Sequence, residues 1–298
     1  MMVTPSDAPV TTATPHFKIV NKLIQPDATV ETVTVALKEI DDLTLTLMAE
    51  PESEAYHYHP WNLWKTIFEQ ILPHTAPIHQ SKLVEFVIQL QKKTTLDPIT
   101  GEPMRSGGEL LWTELPYLGP TLSETWDDMS KFIIILSLFL NLMKMLIQLE
   151  IGPWDPQLSA YDQNRWKNQS AFVAQLFPVN GFFHDLPMFG LFTFCQAFEN
   201  IPSIKGIVND TAVGAACWWL VYAVDKLWAE VSSGRGWEGL QGAGGFNYQD
   251  RPWKGYNLER WSVWEQGLLD ALPASENEKT KKLFQDALAQ MKRVVPDE

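Results

Sequence analysis

The chain has 298 residues, which suits one large domain or two close-packed halves. Apolar residues make up 45% of it and charged residues 20%, a balance that excludes a disordered chain. The formal net charge of −13, without any cluster of Lys and Arg, argues against nucleic acid and anionic membranes as partners.

The chain opens with a proline-rich stretch. Residues 1–26 contain four prolines and no periodic apolar pattern, and this composition predicts a flexible tail. From Asp27, which can cap a helix, the apolar residues begin to recur at helical spacing. Residues 27–298 are therefore predicted to form a single helical domain.

Prolines, capping residues and glycines mark the helix boundaries in the rest of the chain. No internal repeat and no long strand alternation interrupts the pattern, so the sequence predicts an all-α fold. The 13 Trp residues of the chain predict a Trp-rich core. The predicted helices occupy residues 27–48, 60–72, 77–90, 109–114, 123–149, 164–177, 187–199, 210–231, 258–271 and 276–294.

One predicted helix has the length of a membrane span. It covers Phe132–Leu149, and its polar residues Ser137, Asn141, Lys144 and Gln148 fall at spacings of four, three and four. This spacing aligns them in one stripe, which is typical of the central helix of a globular domain. We therefore expect no membrane association.

The two cysteines, Cys195 and Cys217, lie in apolar helical stretches and not at the spacing of a zinc site. They predict buried free thiols in a reducing compartment, hence a cytoplasmic protein. The N-terminal residues lack the apolar segment of a secretory signal, which agrees with that location.

Metal sites have weak support in the sequence. His57 and His59 have the spacing of two ligands on an extended segment, but no third ligand is evident, so surface or capping roles are expected. Asp127 and Asp128 raise the alternative of an Mg²⁺-dependent terpene cyclase, although Lys131 stands one turn further on, where a carboxylate is needed. We predict no metal and no cofactor.

A glycine-rich loop precedes the two C-terminal helices. Residues 232–256 contain seven glycines together with Trp237, Phe246, Tyr248 and Trp253. Long loops of this kind are often lids over binding sites, whereas aromatic side chains can also pin a loop to the body of a domain. The sequence leaves both interpretations open.

Three aromatic segments of the second half are distinctive: Trp166–Ala174, the stretch AACWWLVYAVDKLW from Ala215, and Gly255–Trp261. They resemble a fungal family, number 3632 of the domains of unknown function. The resemblance implies a fungal, intracellular, helical protein, and it implies a link with secondary metabolism by association only. It assigns no catalytic residue, and relative to the family pattern the helix at 132–149 resembles an insertion.

These observations favour a protein that binds an apolar small molecule in an aromatic-lined helical cavity, closed by the loop at 232–256. If it is an enzyme, a cofactor-free cyclase or isomerase is expected. The alternative is a non-catalytic interaction protein that forms homodimers. The candidate proton-transfer residues are Asp127, Glu124 and Arg260, and the candidate ligand-binding residues are Trp126, Trp166, Asn168, Trp219 and Trp253.

Overall fold

The computed structural model describes residues 14–49, 55–130, 159–179, 185–200, 210–239 and 241–296, without the side chains of 127–130. The fold is all-α, as the sequence predicts. The helices are α1 (Pro15–Val20), α2 (Val30–Met48), α3 (Ala55–Lys65), α4 (Ser81–Leu90), α5 (Leu118–Ser130), α6 (Ala160–Leu176), α7 (Leu186–Phe194), α8 (Asp210–Ser233), α9 (Leu258–Ala274) and α10 (Glu278–Val294).

Short elements complete this architecture. Two π-helical turns cover Thr66–Ile71 and Cys195–Glu199. The strands β1 (Arg105–Ser106) and β2 (Glu109–Leu110) pair antiparallel. Single 3-10 turns lie at Asn21–Ile24, Leu72–His74, Pro77–His79 and Phe246–Tyr248.

The chain forms two compact units, residues 1–123 and residues 124–298. The single domain predicted for residues 27–298 stays a prediction. The apolar segment Phe132–Leu149 lies outside the described residues. Within the described ranges, no helix combines the length and apolar character needed to cross a membrane.

In the first unit, the flexible tail predicted for residues 1–26 is wrong over residues 14–24. Thr14 caps α1 by accepting a hydrogen bond from the Phe17 backbone N–H at 3.2 Å, and Pro15 occupies the first turn. Ile19, Val20 and Leu23 are buried, so the burial of apolar side chains fixes this segment. Prolines here start a helix rather than prevent one.

The helix predicted at residues 109–114 is also wrong. Trp112 and Leu115 have φ angles of 64° and 50°, which no right-handed helix accommodates. The chain forms β2 and tight turns instead, and these bury the Trp112 ring. Its aromatic neighbour is His59, 5.2 Å away between ring centroids.

Two histidines form a buried hydrogen-bonded pair in the first unit. Nε2 of His16 lies 2.8 Å from Nδ1 of His59, and Nε2 of His59 lies 2.9 Å from Oγ1 of Thr44. Because the Thr44 hydroxyl donates to the Ile40 carbonyl at 2.7 Å, it accepts from His59, and His59 in turn accepts from His16. The surface role predicted for His59 is therefore wrong.

Burial holds both imidazoles neutral. It lowers the pKa of His16 to about 4, against a smaller opposing effect of hydrogen bonding to His59. Burial and the neighbouring His16 lower the pKa of His59 to about 3. In the unfolded chain both imidazoles bind protons below about pH 6.5, whereas in the folded protein they stay neutral until the pH approaches 4. Their contribution to the free energy of unfolding is therefore complete above pH 6.5 and is lost as the pH falls toward 4.

We therefore predict that the free energy of unfolding decreases between pH 7 and pH 5 by about 2 kcal/mol for each of these two histidines. Urea unfolding at both pH values measures the decrease. In a variant carrying His16→Gln and His59→Gln the pH dependence should be weaker, whereas His79→Gln, at an exposed site, should leave it unchanged. An equal pH dependence in all three proteins would contradict the assignment.

In the second unit, α8 is the central helix and packs against α6, α7, α9 and α10. It begins at Asp210, as predicted, and kinks at Ala223, where φ is −136° and ψ is 16°. Cys217 is buried on this helix and Cys195 is buried in the second π turn, and both are free thiols as predicted. Burial raises the pKa of each thiol well above its ordinary value.

Candidate functional site

The structure places four of the predicted site residues of the second unit in two clusters. The Arg260 cluster consists of Cys195, Glu199, Trp253, Arg260 and Trp264. The Trp126 cluster consists of Thr125, Trp126, Trp166, Gln169, Ser170 and Phe189.

The π turn at Cys195–Glu199 places the acidic member of the Arg260 cluster. The Asn200 N–H donates to the Cys195 carbonyl at 3.0 Å, one residue further along the chain than in an α-helix. Glu199 on this turn and Arg260 on the first turn of α9 form an ion pair in which both side chains are 0% exposed. Asn257 caps α9 by accepting from the Arg260 backbone N–H at 2.8 Å.

The Arg260 guanidinium uses all of its N–H groups within the protein. Its Nε and Nη2 donate to the two carboxylate oxygens of Glu199 at 2.6 and 2.8 Å. Its remaining N–H groups donate to the carbonyls of Gly242, Ala243 and Gly255 at 2.9, 2.9 and 3.0 Å. No donor remains for a substrate, so the arrangement makes Arg260 a structural residue.

Glu199 completes the network. Its Oε1 accepts from Nε1 of Trp264 at 2.7 Å, and its Oε2 accepts from the Gly245 backbone N–H at 2.7 Å. Burial alone would lower the pKa of Arg260, but the adjacent Cys195 and Glu199 side chains outweigh burial and keep the pKa above its ordinary value. The guanidinium therefore stays charged, and the pair is fully hydrogen-bonded.

These contacts show how the glycine-rich loop is held. The guanidinium lies 5.2 Å from the Trp253 ring, whose Nε1 donates to Glu259 at 2.8 Å. The Gly255 carbonyl accepts from Arg260, and the backbone φ angle of Gly255 is 151°. A Cβ at this position would lie 2.2 Å from the Arg235 carbonyl oxygen, so only glycine fits. Of the two interpretations left open by the sequence, these contacts favour a loop fixed to the body of the unit.

A surface groove of about 640 Å³ lies beside this loop. Its walls are the end of α8 and residues 252–259. The polar atoms of its two largest aromatic residues are already engaged, because Trp253 bonds Glu259 and the Tyr256 hydroxyl donates to the Pro187 carbonyl at 2.8 Å. Neither of these two residues therefore offers a free donor to a ligand in the groove.

The Trp126 cluster has the opposite character. Trp166, Gln169 and Ser170 lie on one face of α6 because they are three and four residues apart. The Trp126 ring, on α5, lies 5.0 Å from the Trp166 ring and 5.0 Å from the Phe189 ring of α7. Nε2 of Gln169 lies 2.9 Å from Oγ1 of Thr125.

Four polar atoms of this cluster are buried without a hydrogen-bond partner among the described residues. Each such atom costs about 1–3 kcal/mol when it stays unpaired, and native proteins rarely leave several in one place. The cluster is therefore a candidate binding site. The atoms are Nε1 of Trp126 and of Trp166, Oε1 of Gln169 and Oγ of Ser170, in side chains no more than 3% exposed.

The other predicted residues have separate positions. Glu124 is exposed, and the side chain of Asp127 lies outside the described residues. Trp219 is buried beside Phe177, 5.8 Å away between ring centroids, and Asn168 is buried on α6. Within the described part of the chain, no group of three or more His, Cys, Asp or Glu side chains could hold a metal ion.

Sequence reasoning missed Glu199, Gln169, Ser170 and Phe189. Gln169 and Ser170 carried a signal, since they are polar residues directly before the apolar stretch Ala171–Ala174, one helical turn from a tryptophan. Glu199 carried none, because its partner Arg260 is 61 residues away in the sequence.

We expect Arg260→Met to lower the free energy of unfolding by about 3–5 kcal/mol, because it leaves Glu199 buried without a counter-ion. Limited proteolysis should then cut the loop at 241–255. The control is Arg251→Met, which removes an ion pair with Glu259 whose side chains are 49% and 52% exposed. Its expected loss is about 0–1 kcal/mol. Equal losses in the two variants would rule out a stabilising role for the ion pair between Glu199 and Arg260.

Comparison with known proteins identifies the family of the chain. No curated protein and no solved structure matches the chain. The family described as "Protein of unknown function (DUF3632)" matches residues 61–268, which include both clusters. Because this match covers more than half of the 298 residues, the chain belongs to the DUF3632 family.

Proposed function

We propose that the second unit binds an apolar small molecule against the Trp126 cluster. The observation that carries this proposal is the set of four buried polar atoms without partners in the described part of the chain, bordered by three aromatic rings. Ligand sites are mostly apolar, with a few polar groups that orient the bound molecule. The cluster has this composition.

The Arg260 cluster supports the proposed site indirectly. Tyr256 follows Gly255, whose carbonyl accepts from Arg260. The Tyr256 hydroxyl donates to the Pro187 carbonyl in the first turn of α7. A Cβ on Gly190 of α7 would lie 2.8 Å from that hydroxyl oxygen, so Tyr256 and α7 are closely packed. The Arg260 cluster thereby fixes α7, the helix that carries Phe189. A preformed wall of the proposed site reduces the entropy cost of binding.

We further propose a cytoplasmic role in fungal secondary metabolism. Support comes from the family resemblance and from the two buried free thiols. If the bound molecule is transformed, a cofactor-free cyclisation or isomerisation would draw its proton-transfer group from Glu124 or Asp127, since Arg260 has no free donor.

Native mass spectrometry of the protein purified from a fungal host tests this proposal. We expect a retained small molecule in the wild-type protein and its loss in Trp166→Phe, which keeps an aromatic ring but removes the indole N–H. Trp218→Phe is the matched control, because Trp218 stacks on Tyr222 and is not part of the cluster. The control should retain the molecule.

Two results would contradict the proposal. A bound molecule that stays in Trp166→Phe as fully as in the control would place the site elsewhere. A ligand-free homodimer would instead favour a protein-interaction role.

A further inference from the structure

The unpaired atoms of the Trp126 cluster define what a bound molecule must offer. An indole N–H is a donor only, so Nε1 of Trp126 and Nε1 of Trp166 both require acceptor atoms on the ligand. The Ser170 hydroxyl can donate or accept, and the Gln169 amide keeps its Oε1 free while its Nε2 contacts Thr125. The ligand therefore needs at least one acceptor atom with accessible lone pairs.

The charge of the cluster restricts the ligand further. Its six described side chains, defined above, are all uncharged. Transfer of a carboxylate into a buried site costs several kcal/mol unless a cation pairs with it, and the six residues of the cluster supply neutral donors only. A cation, in turn, brings no acceptor for the indole N–H groups. The site is suited to a neutral molecule.

The rings of the cluster indicate the shape of the ligand. Trp126 meets both Trp166 and Phe189 with 57° between ring planes, so the three rings are tilted rather than stacked face to face. Such an arrangement presents both ring faces and ring edges to a neighbour, and flat aromatic molecules pack well against both.

We propose that the site takes an uncharged aromatic molecule that carries a carbonyl oxygen, held by the indole N–H groups of Trp126 and Trp166. This inference rests on the proposed function and adds the chemical class of the ligand. The carbonyl oxygen has two lone pairs, so it can accept from a donor on α5 and from a donor on α6 at once.

Three naphthalenes of similar size and shape test the acceptor and the charge separately. 2-Acetylnaphthalene carries a neutral acceptor, 2-naphthoate carries a charged one, and 2-ethylnaphthalene carries none. Isothermal titration calorimetry measures their dissociation constants with protein from which bound molecules have been extracted. We expect the ketone to bind about tenfold more tightly than the hydrocarbon, the ratio that one net hydrogen bond provides. The naphthoate should bind more weakly than the ketone.

Variants identify the donor. In Trp166→Phe the preference for ketone over hydrocarbon should fall to about twofold or less, because the N–H is gone and the ring remains. Trp126→Phe, which removes the other indole N–H and keeps an aromatic ring, provides a second variant and should also reduce the preference. Trp218→Phe should keep the tenfold ratio.

The possible failures are distinguishable. Equal binding of ketone and hydrocarbon, or tightest binding of naphthoate, would overturn the ligand class while leaving a binding site in place. Absence of binding by all three probes, with a molecule retained in native mass spectrometry, would also overturn the class alone. No probe binding and no retained molecule would overturn both the class and the proposed function.

Discussion

The buried ion pair between Glu199 and Arg260 is the constraint on which much of the second unit depends. Removal of two charges from water is costly, and the cost is offset here because each carboxylate oxygen and each guanidinium N–H has a partner. The partners come from the π turn, α9 and three carbonyls of the glycine-rich loop. One interaction therefore connects the π turn both to the glycine-rich loop and to α9, where Arg260 lies 61 residues further along the chain than Glu199.

The second unit thus contains two buried polar centres of opposite kind. The Arg260 cluster is fully paired, which suits a structural role. The Trp126 cluster has donors without a partner among the described residues, which suits ligand binding. Helix α7 lies between them: Phe189 contacts Trp126, and the neighbouring Gly190 packs against Trp219 and Tyr256. Rigid packing on one side of α7 supports a defined wall on the other.

Local sequence signals predicted most of the fold. Proline positions, capping residues and apolar periodicity located α8 and α9 within a few residues, because these signals act over a single helical turn. The clusters could be predicted only in part, since Trp126 and Trp166 meet only through tertiary packing of α5 on α6. Arg260 was singled out as catalytic because the sequence shows a charge but not the partners that occupy it.

Indole ¹H–¹⁵N NMR spectra, recorded before and after extraction of bound molecules and assigned by single Trp→Phe variants, test the contrast between the clusters most directly. We predict that extraction shifts the Nε1–H signals of Trp126 and Trp166 toward positions typical of unbonded indoles. The signal of Trp264, bonded to Glu199 at 2.7 Å, should not move. Hydrogen-bonded positions for Trp126 and Trp166 in the extracted protein, unchanged by extraction, would contradict the existence of an unpaired ligand site.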